Sequence, residues 1–259
     1  MHKRYYCALA TILVSATLVI PARSEIVGAW LFDEGAGAST EDATGQQADG
    51  ELIGGADWDT GRFGAGILFD GSTGHVEIPD PDQVLIPPQM TAMAWVKFEN
   101  LAGNHSILEQ YDWAGELGAY AFRTNGAGLQ CFTIWGVDAP DATGGALEAD
   151  VWAHCAFSYD GSTLRIYQDG EQVAERDIPN GDFNPSEKSL SVGVRGDTKD
   201  THWMAGVMDE VALFDTALPE DEIRAIATAD TSLATTVLAV VEARAKLAVS
   251  WAGLKSAMR

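Results

Sequence analysis

Between Trp152 and Asp177 the sequence WAHCAFSYDGSTLRIYQDGEQVAERD contains two Asp-Gly pairs, Asp160-Gly161 and Asp169-Gly170, about nine residues apart. Glycine takes positive φ without steric cost, and aspartate bonds its own turn backbone. Asp-Gly between alternating runs is therefore a strong hairpin signal. Ala153 to Tyr159 alternates toward one apolar face, Leu164 to Tyr167 is a second β-rich run, and a third begins after Gly170. Two tight turns at this spacing predict an antiparallel meander and leave no room for helices in this part of the chain.

The rest of the chain reads the same way. Strands are predicted at 25–32, 66–69, 75–78, 90–98, 106–110, 119–123, 129–135, 189–194 and 203–214. Residues 66–69 and 75–78 are expected to pair across Asp70 to Gly74, and 33–50 reads as a polar loop that buries nothing. Residues 57–66 form a turn-rich bend, and the proline-rich stretch 79–88 stops pairing. Leu218 to Ile223 opens a short helix with acids in its first turn, where the helix dipole favours them. With 27 glycines and 46% hydrophobic residues, the composition fits many short strands around one core.

Several segments, in order, resemble the concanavalin A-like, laminin-G-like jelly-roll domains. They are Gly28-Ala29-Trp30-Leu31-Phe32-Asp33-Glu34, then Ile67-Leu68-Phe69-Asp70-Gly71 with His75-Val76-Glu77-Ile78. The meander with Trp152 and His154 follows, and Met208-Asp209-Glu210-Val211-Ala212-Leu213-Phe214 closes the series. The resemblance spans roughly residues 25–226 and implies an all-β, two-sheet antiparallel sandwich with a short C-terminal helix. A fold of this kind hosts many activities, so function must be argued from the site.

Residues 1–24 read as a secretory leader: Lys3-Arg4, an apolar run from Tyr5 to Ile20, then Ala22 and Ser24 before Glu25. That leader predicts a secreted, periplasmic or cell-surface protein with no membrane span after cleavage. The net charge is −22, and loss of Lys3, Arg4 and Arg23 takes it to −25. Such a surface repels phosphate backbones and anionic lipid, which argues against nucleic-acid partners. Cys7 leaves with the leader; Cys131 and Cys155 remain, either as a disulfide or as two buried thiols. Residues 227–234 read as a linker. Beyond them Leu247, Trp251, Leu254 and Met258 form a helical stripe in a cationic tail that could fray or dock on a partner.

In strict alternation Val207, Asp209, Val211 and Leu213 share one face of the last strand, and Met208, Glu210, Ala212 and Phe214 share the other. One acid must then sit among apolar side chains, which is costly unless it is paired. The resemblance implies a Ca²⁺ ion where the first and last strands meet. Asp209 would be its side-chain ligand, Asp33 and Asp70 secondary candidates, and Gly71 a carbonyl donor. The competing reading is an Asp209 bonded only to backbone.

Carbohydrate binding calls for aromatic platforms beside polar groups. Tyr111-Asp112-Trp113 forms such a cluster, and Trp135, Arg195 and His202 lie at strand ends that could share its rim. The Glu-x-Asp-x-x-Glu pattern of glycosidases with this fold is absent: Glu109, Asp112 and Glu116 have the wrong spacing. The leading expectation is a non-catalytic module for a glycan or an extracellular protein. A glycoside hydrolase or polysaccharide lyase with another site, and a surface-assembly protein, are the alternatives.

Overall fold

The computed structural model describes residues 25–114, 117–133, 141–178 and 187–235. Its strands, in chain order, begin with β1 (Ile26–Trp30), β2 (Ser39–Thr40), β3 (Gly50–Ile53), β4 (Asp57–Thr60) and β5 (Ala65–Asp70). There follow β6 (His75–Ile78), β7 (Met90–Phe98), β8 (Ser106–Asp112), β9 (Leu117–Asn125), β10 (Gly128–Thr133) and β11 (Asp141–Gly144). The last are β12 (Ala153–Tyr159), β13 (Thr163–Gln168), β14 (Glu171–Asp177), β15 (Leu190–Val192) and β16 (Ala205–Phe214), before helix α1 (Glu220–Ala227).

These strands make two eight-stranded sheets. Sheet A runs β14-β13-β12-β7-β16-β5-β4, with β1 added against β16. Sheet B runs β11-β10-β9-β8-β15-β6-β3-β2. Every pairing is antiparallel, and the Asp-Gly turns join β12, β13 and β14 as the sequence implies. Asp169 and Gly170 both take positive φ, 53° and 82°. The first and last strands lie side by side, Trp30 opposite Val211.

The core fills the space between the sheets, because alternation turns one side chain in two inward. Phe157 of β12 stacks at 5.2 Å on Tyr120 and 5.4 Å on Phe122, both from β9 of the facing sheet. Such contacts add about 0.5–1.5 kcal/mol each beyond burial and lock the sheets in register. A second apolar layer lies on the outer face of sheet A, where Met93, Ala156, Tyr167 and Phe214 are covered by Leu218, Ile223 and Leu233. That covering explains why β7 and β16 are buried along nearly their whole length instead of alternating.

Several expectations are corrected. β5 and β6 do not pair: β5 belongs to sheet A and β6 to sheet B, and Asp70 builds the corner between them. Its carboxylate accepts the N–H groups of Ser72, Thr73 and Gly74 at 2.7–2.9 Å and two hydroxyls. The 33–50 segment is not empty of structure. Buried Asp42 accepts from the N–H groups of Ala29, Thr44, Gln46 and Gln47 and pins the segment to β1. Strand β2 arises within the expected 33–50 loop and β4 within the expected 57–66 bend, and β3 and β11 were not predicted; all four are short and lie toward sheet edges.

Cys131 and Cys155 are free and buried, so they form no disulfide. Their strands do not pair: β10 sits between β9 and β11, and β12 between β7 and β13 in the opposite sheet. The end of the supposed linker 227–234 is anchored, with Leu233 buried and its N–H donated to Glu210 at 2.8 Å. The leader, Trp135 and the tail stripe Leu247, Trp251, Leu254 and Met258 lie outside the described residues.

Candidate functional site

The outer face of sheet B carries the main polar constellation. On β8, β9 and β10 the residues Leu108, Tyr120, Phe122, Leu129 and Cys131 face the core. Their neighbours Glu109, Tyr111, Ala121, Arg123, Gln130 and Phe132 therefore point outward. The register sets them in rows across the sheet, with Glu109 opposite Ala121, Ala121 opposite Phe132, and Arg123 opposite Gln130. Tyr111, Ala121 and Phe132 pack as a small apolar cluster, the two rings 6.1 Å apart and nearly perpendicular.

The loop after β15 folds over this surface. Arg195 N–H donates to the Thr201 carbonyl at 3.2 Å, closing the loop, and Ser106 N–H donates to the His202 carbonyl at 2.8 Å, fixing it to β8. Lys199 and His202 take positive φ, 52° and 56°, to make the bend. Gly196 N–H and Ser106 Oγ–H both donate to the Glu109 carboxyl, at 2.9 and 2.6 Å. The Tyr111 hydroxyl donates to it as well. Burial pushes the Glu109 pKa up to about 7 against these bonds. With the carboxyl fully buried under Gly196, Glu109 is sealed from any substrate.

Arg123 is the centre of the accessible part. Its Nε donates to Gln130 Oε1 at 3.1 Å, its Nη1 meets His202 Nδ1 at 3.2 Å, and its guanidinium lies 4.7 Å from the Phe132 ring. Burial, then the charges of Arg123 and Arg195, lower the His202 pKa to about 4. The ring is therefore neutral at pH 7, and accepting at Nδ1 makes it the Nε2–H tautomer. Arg195 forks onto Asp197 at 2.5 and 3.0 Å, and that hydrogen bonding raises its own pKa. Gln130 also donates to Asp141 at 2.7 Å.

The residues singled out from sequence separate into three groups. Tyr111, Arg195 and His202 do converge, around Glu109 and Arg123. Tyr111 is 2% exposed and serves as packing with a polar tip, not as a platform. Asp112 is half-buried and lies 3.8 Å from the Lys188 ammonium. Trp113, in the turn after β8, is 51% exposed. It stands at the opposite end of β8 from Ser106 and Arg123, roughly 20 Å away at the strand rise of ~3.3 Å per residue. Arg123 and Gln130 were not singled out, although their alternation with core residues on β9 and β10 places them on the same face. Trp135 lies outside the described residues.

A second constellation lies on the outer face of sheet A. β16 contains a bulge between Asp209 and Ala212, with Glu210 at φ 52°. The extra residue resets the alternation, so Met208, Val211 and Leu213 face the core and Asp209 and Glu210 both leave it. The strict alternation expected for this strand is thus corrected. Asp209 is fully buried beneath the 61–64 bend. Its Oδ2 accepts Phe63 N–H at 2.8 Å, and its Oδ1 has no partner among the described residues.

A β-carbon on Gly61 would lie 2.6 Å from Asp209 Oδ2, and one on Gly64 would strike Asp33 Oδ1. Burial raises the pKa of Asp209 to about 8 and of Glu210 to about 7, and raises that of Asp33. Asp33 and Glu210 each add repulsion at Asp209. Arg62 lies nearby, 4.7 Å from the Phe63 ring and 5.0 Å from the Trp95 ring. Asp70 and Gly71 are not brought here. Asp70 pairs with Ala205, at the other end of β16, and its own turn uses its carboxylate. Burial there is outweighed by those hydrogen bonds, which hold Asp70 below the usual carboxylate range.

Solved structures with the same architecture include domain 4 of AbnA, an extracellular arabinanase of the GH43 class from Geobacillus stearothermophilus, in complex with arabinotriose. It is 18% identical, covers 79% of this chain and 99% of its own, and has a TM-score of 0.63. The binding domain of Paraclostridial Mosquitocidal Protein 1 is 12% identical at a TM-score of 0.65, covering 78% of this chain and 51% of its own. The binding domain of botulinum neurotoxin DC in complex with SialylT is 11% identical at a TM-score of 0.63, covering 78% and 50%. The chain thus spans about half the length of the toxin binding domains it matches. Among curated proteins none matches it. Residues 70–224 match the family described as Laminin_G_3, and with two stacked antiparallel sheets behind that match the chain belongs to this family of the concanavalin A-like lectin/glucanases superfamily.

Proposed function

We propose that this chain is an exported, non-catalytic module that binds a glycan along the outer face of sheet B. The observation that carries the reading is the polar row on β8 to β10. Arg123, Gln130 and His202 are oriented by mutual hydrogen bonds at one end, and the half-exposed Trp113 stands at the other. Oriented polar groups for hydroxyls, with an aromatic face for sugar C–H groups, are what a saccharide site requires. The arabinotriose and SialylT complexes of the two similar domains support a saccharide as ligand. Glu109, the acid within the row, is sealed and hydrogen-bonded, and Asp141 beside it is held by Gln130, which favours binding over hydrolysis. Export rests on the leader read in residues 1–24.

The proposal includes a structural Ca²⁺ at Asp209. A buried carboxylate oxygen without a partner beside Asp33 and Glu210 suits a hard cation with oxygen ligands. Among the described residues no three His, Cys, Asp or Glu side chains converge on one point. The remaining ligands would therefore be backbone carbonyls and water. A bound cation would offset the repulsion among these acids and tie the first strand to the last.

A glycan array containing arabino-oligosaccharides, followed by titration of the hits against Trp113→Ala, tests the glycan reading. The variant should bind at least tenfold more weakly with an unchanged melting temperature, whereas Tyr111→Ala should melt well below the wild type. An array without hits, alongside a reproducible protein partner, would reject the saccharide.

A further inference from the structure

The sequence is strongly acidic, yet the end of the sheet B row formed by β9 and the 195–202 loop presents two guanidinium groups and an imidazole within a few residues. The two cations differ in their partners. Arg195 is neutralised by its fork onto Asp197. Arg123 has no ion-pair partner among the described residues: its bonds go to Gln130 and His202, both neutral, and its face rests on Phe132. Asp141 is engaged by Gln130, and Glu109 on the same face points its carboxyl at Ser106 and Gly196. Burial pushes its pKa up to about 7, so it is only partly ionised at neutral pH. An oriented, half-buried guanidinium without a counter-charge is a standing invitation to an anion of matching planar shape, and a carboxylate takes two parallel N–H bonds from it.

Resting on the glycan reading above, we infer that the Arg123 end of the row takes a sugar bearing a single carboxylate, with Arg123 as the charge partner and His202 and Gln130 holding it in position. The charge distribution limits this to one acid. A net charge of −22 repels a polyanion along its whole length, whereas one terminal or branching acidic sugar needs only the local cation to outweigh the few acids around it. The neutral His202 is part of the arrangement. An imidazolium could not accept from Arg123 and would compete with it for the ligand. Trp113, roughly 20 Å along the strand, would then stack a neutral unit of the same oligosaccharide, so that charge and stacking select at opposite ends.

The test is isothermal titration at pH 7 with 3′-sialyllactose, its carboxyl methyl ester and lactose. A xylotriose carrying one glucuronic acid, its methyl ester and plain xylotriose form a second set, with arabinotriose as a neutral reference. The free acids should bind the wild type at least tenfold more tightly than their own esters. Arg123→Gln should bring acid and ester to the same affinity, abolishing the acid preference. The comparison of acid with ester needs no variant, so a misfolded Arg123→Gln would not obscure it; Arg123→Lys, which keeps charge but loses the fork, should fall between. Equal binding of acids and esters by the wild type would overturn the inference and leave the glycan reading intact. A preference for acids that survives Arg123→Gln would overturn the assignment to this residue. Binding of none of the seven saccharides would count against both.

Discussion

Replacing Asp209 by Asn removes a charge from a closed site while keeping its size and an acceptor for Phe63 N–H. The carboxyl titrates at 3.8 in a free chain and at about 8 in the fold. The folded state therefore holds this proton more tightly, and its contribution to stability is complete below pH ~4 and lost as pH rises through 8. The whole interval corresponds to at most about 6 kcal/mol at 1.36 kcal/mol per pH unit. Reorganisation around the ionised group recovers part of that, which leaves about 2–3 kcal/mol for the substitution to regain at pH 8. For a domain of this size each kcal/mol moves the melting temperature by about 2–4 °C. In chelator at pH 8 Asp209→Asn should thus melt about 4–12 °C above the wild type, and at pH 5 the difference should shrink. Adding Ca²⁺ should raise the wild type past the variant, because the cation needs the charge that Asn lacks. Melting curves followed by circular dichroism at both pH values, with chelator and with Ca²⁺, give all four comparisons. A wild type whose midpoint in chelator is the same at pH 5 and 8, and matches the variant at both, would refute the argument that Asp209 is buried without compensation. A wild type indifferent to Ca²⁺ would remove the ion alone.

The acid side should have its own slope. His154 is 1% exposed with neither ring nitrogen bonded among the described residues, and burial lowers its pKa to about 4. The unfolded chain binds that proton first, so stability is full above pH 6.5 and falls toward 4, by up to about 3 kcal/mol. Denaturant titrations from pH 4 to 7 should show this slope flattened in His154→Leu. The thiols of Cys131 and Cys155 should be silent toward a thiol reagent in the folded protein and react on unfolding. Reductant should leave the melting temperature unchanged, and a lower midpoint in reductant would contradict the free pair.

The β12-β13-β14 meander of sheet A and its central strand β7 were legible because their signals are local, although the pairing of β7 with β12 and β16 was not. The turns at Asp160-Gly161 and Asp169-Gly170 and the run Met90–Phe98 each declare themselves within ten residues. What sequence concealed depends on partners far along the chain. β5 and β6 look like a hairpin because Asp70-Gly71 between them makes a turn, but a corner and a hairpin use the same residues, and only the strands they later meet distinguish the two. The bulge at Glu210 was invisible because nothing in Asp209-Glu210-Val211 marks positive φ; the N–H groups that meet the two turned-out carboxyls come from Phe63 and Leu233, far off in the chain. The site divides in the same way. Tyr111 and Trp113 are both aromatics in a polar stretch, yet one ends on a strand under a loop and the other at its open tip. Arg123 escaped notice because a single arginine in a strand carries no pattern until Gln130, Phe132 and His202 surround it.

The fit of the 61–64 bend over its two carboxylates bears on how this sequence can drift. Positions 61 and 64 look permissive from outside, as part of a bend near the surface. Each nevertheless lacks space for even a methyl group: a β-carbon at 61 would strike the Ala65 carbonyl as well as Asp209, and one at 64 would strike Asp33 from a backbone at φ 76°. Trimming either acid would leave the opposing backbone at 61 and the positive φ at 64 in place, so neither change rescues a side chain there. The bend is thus held open to glycine alone by its own backbone and by two acids far from it in the chain.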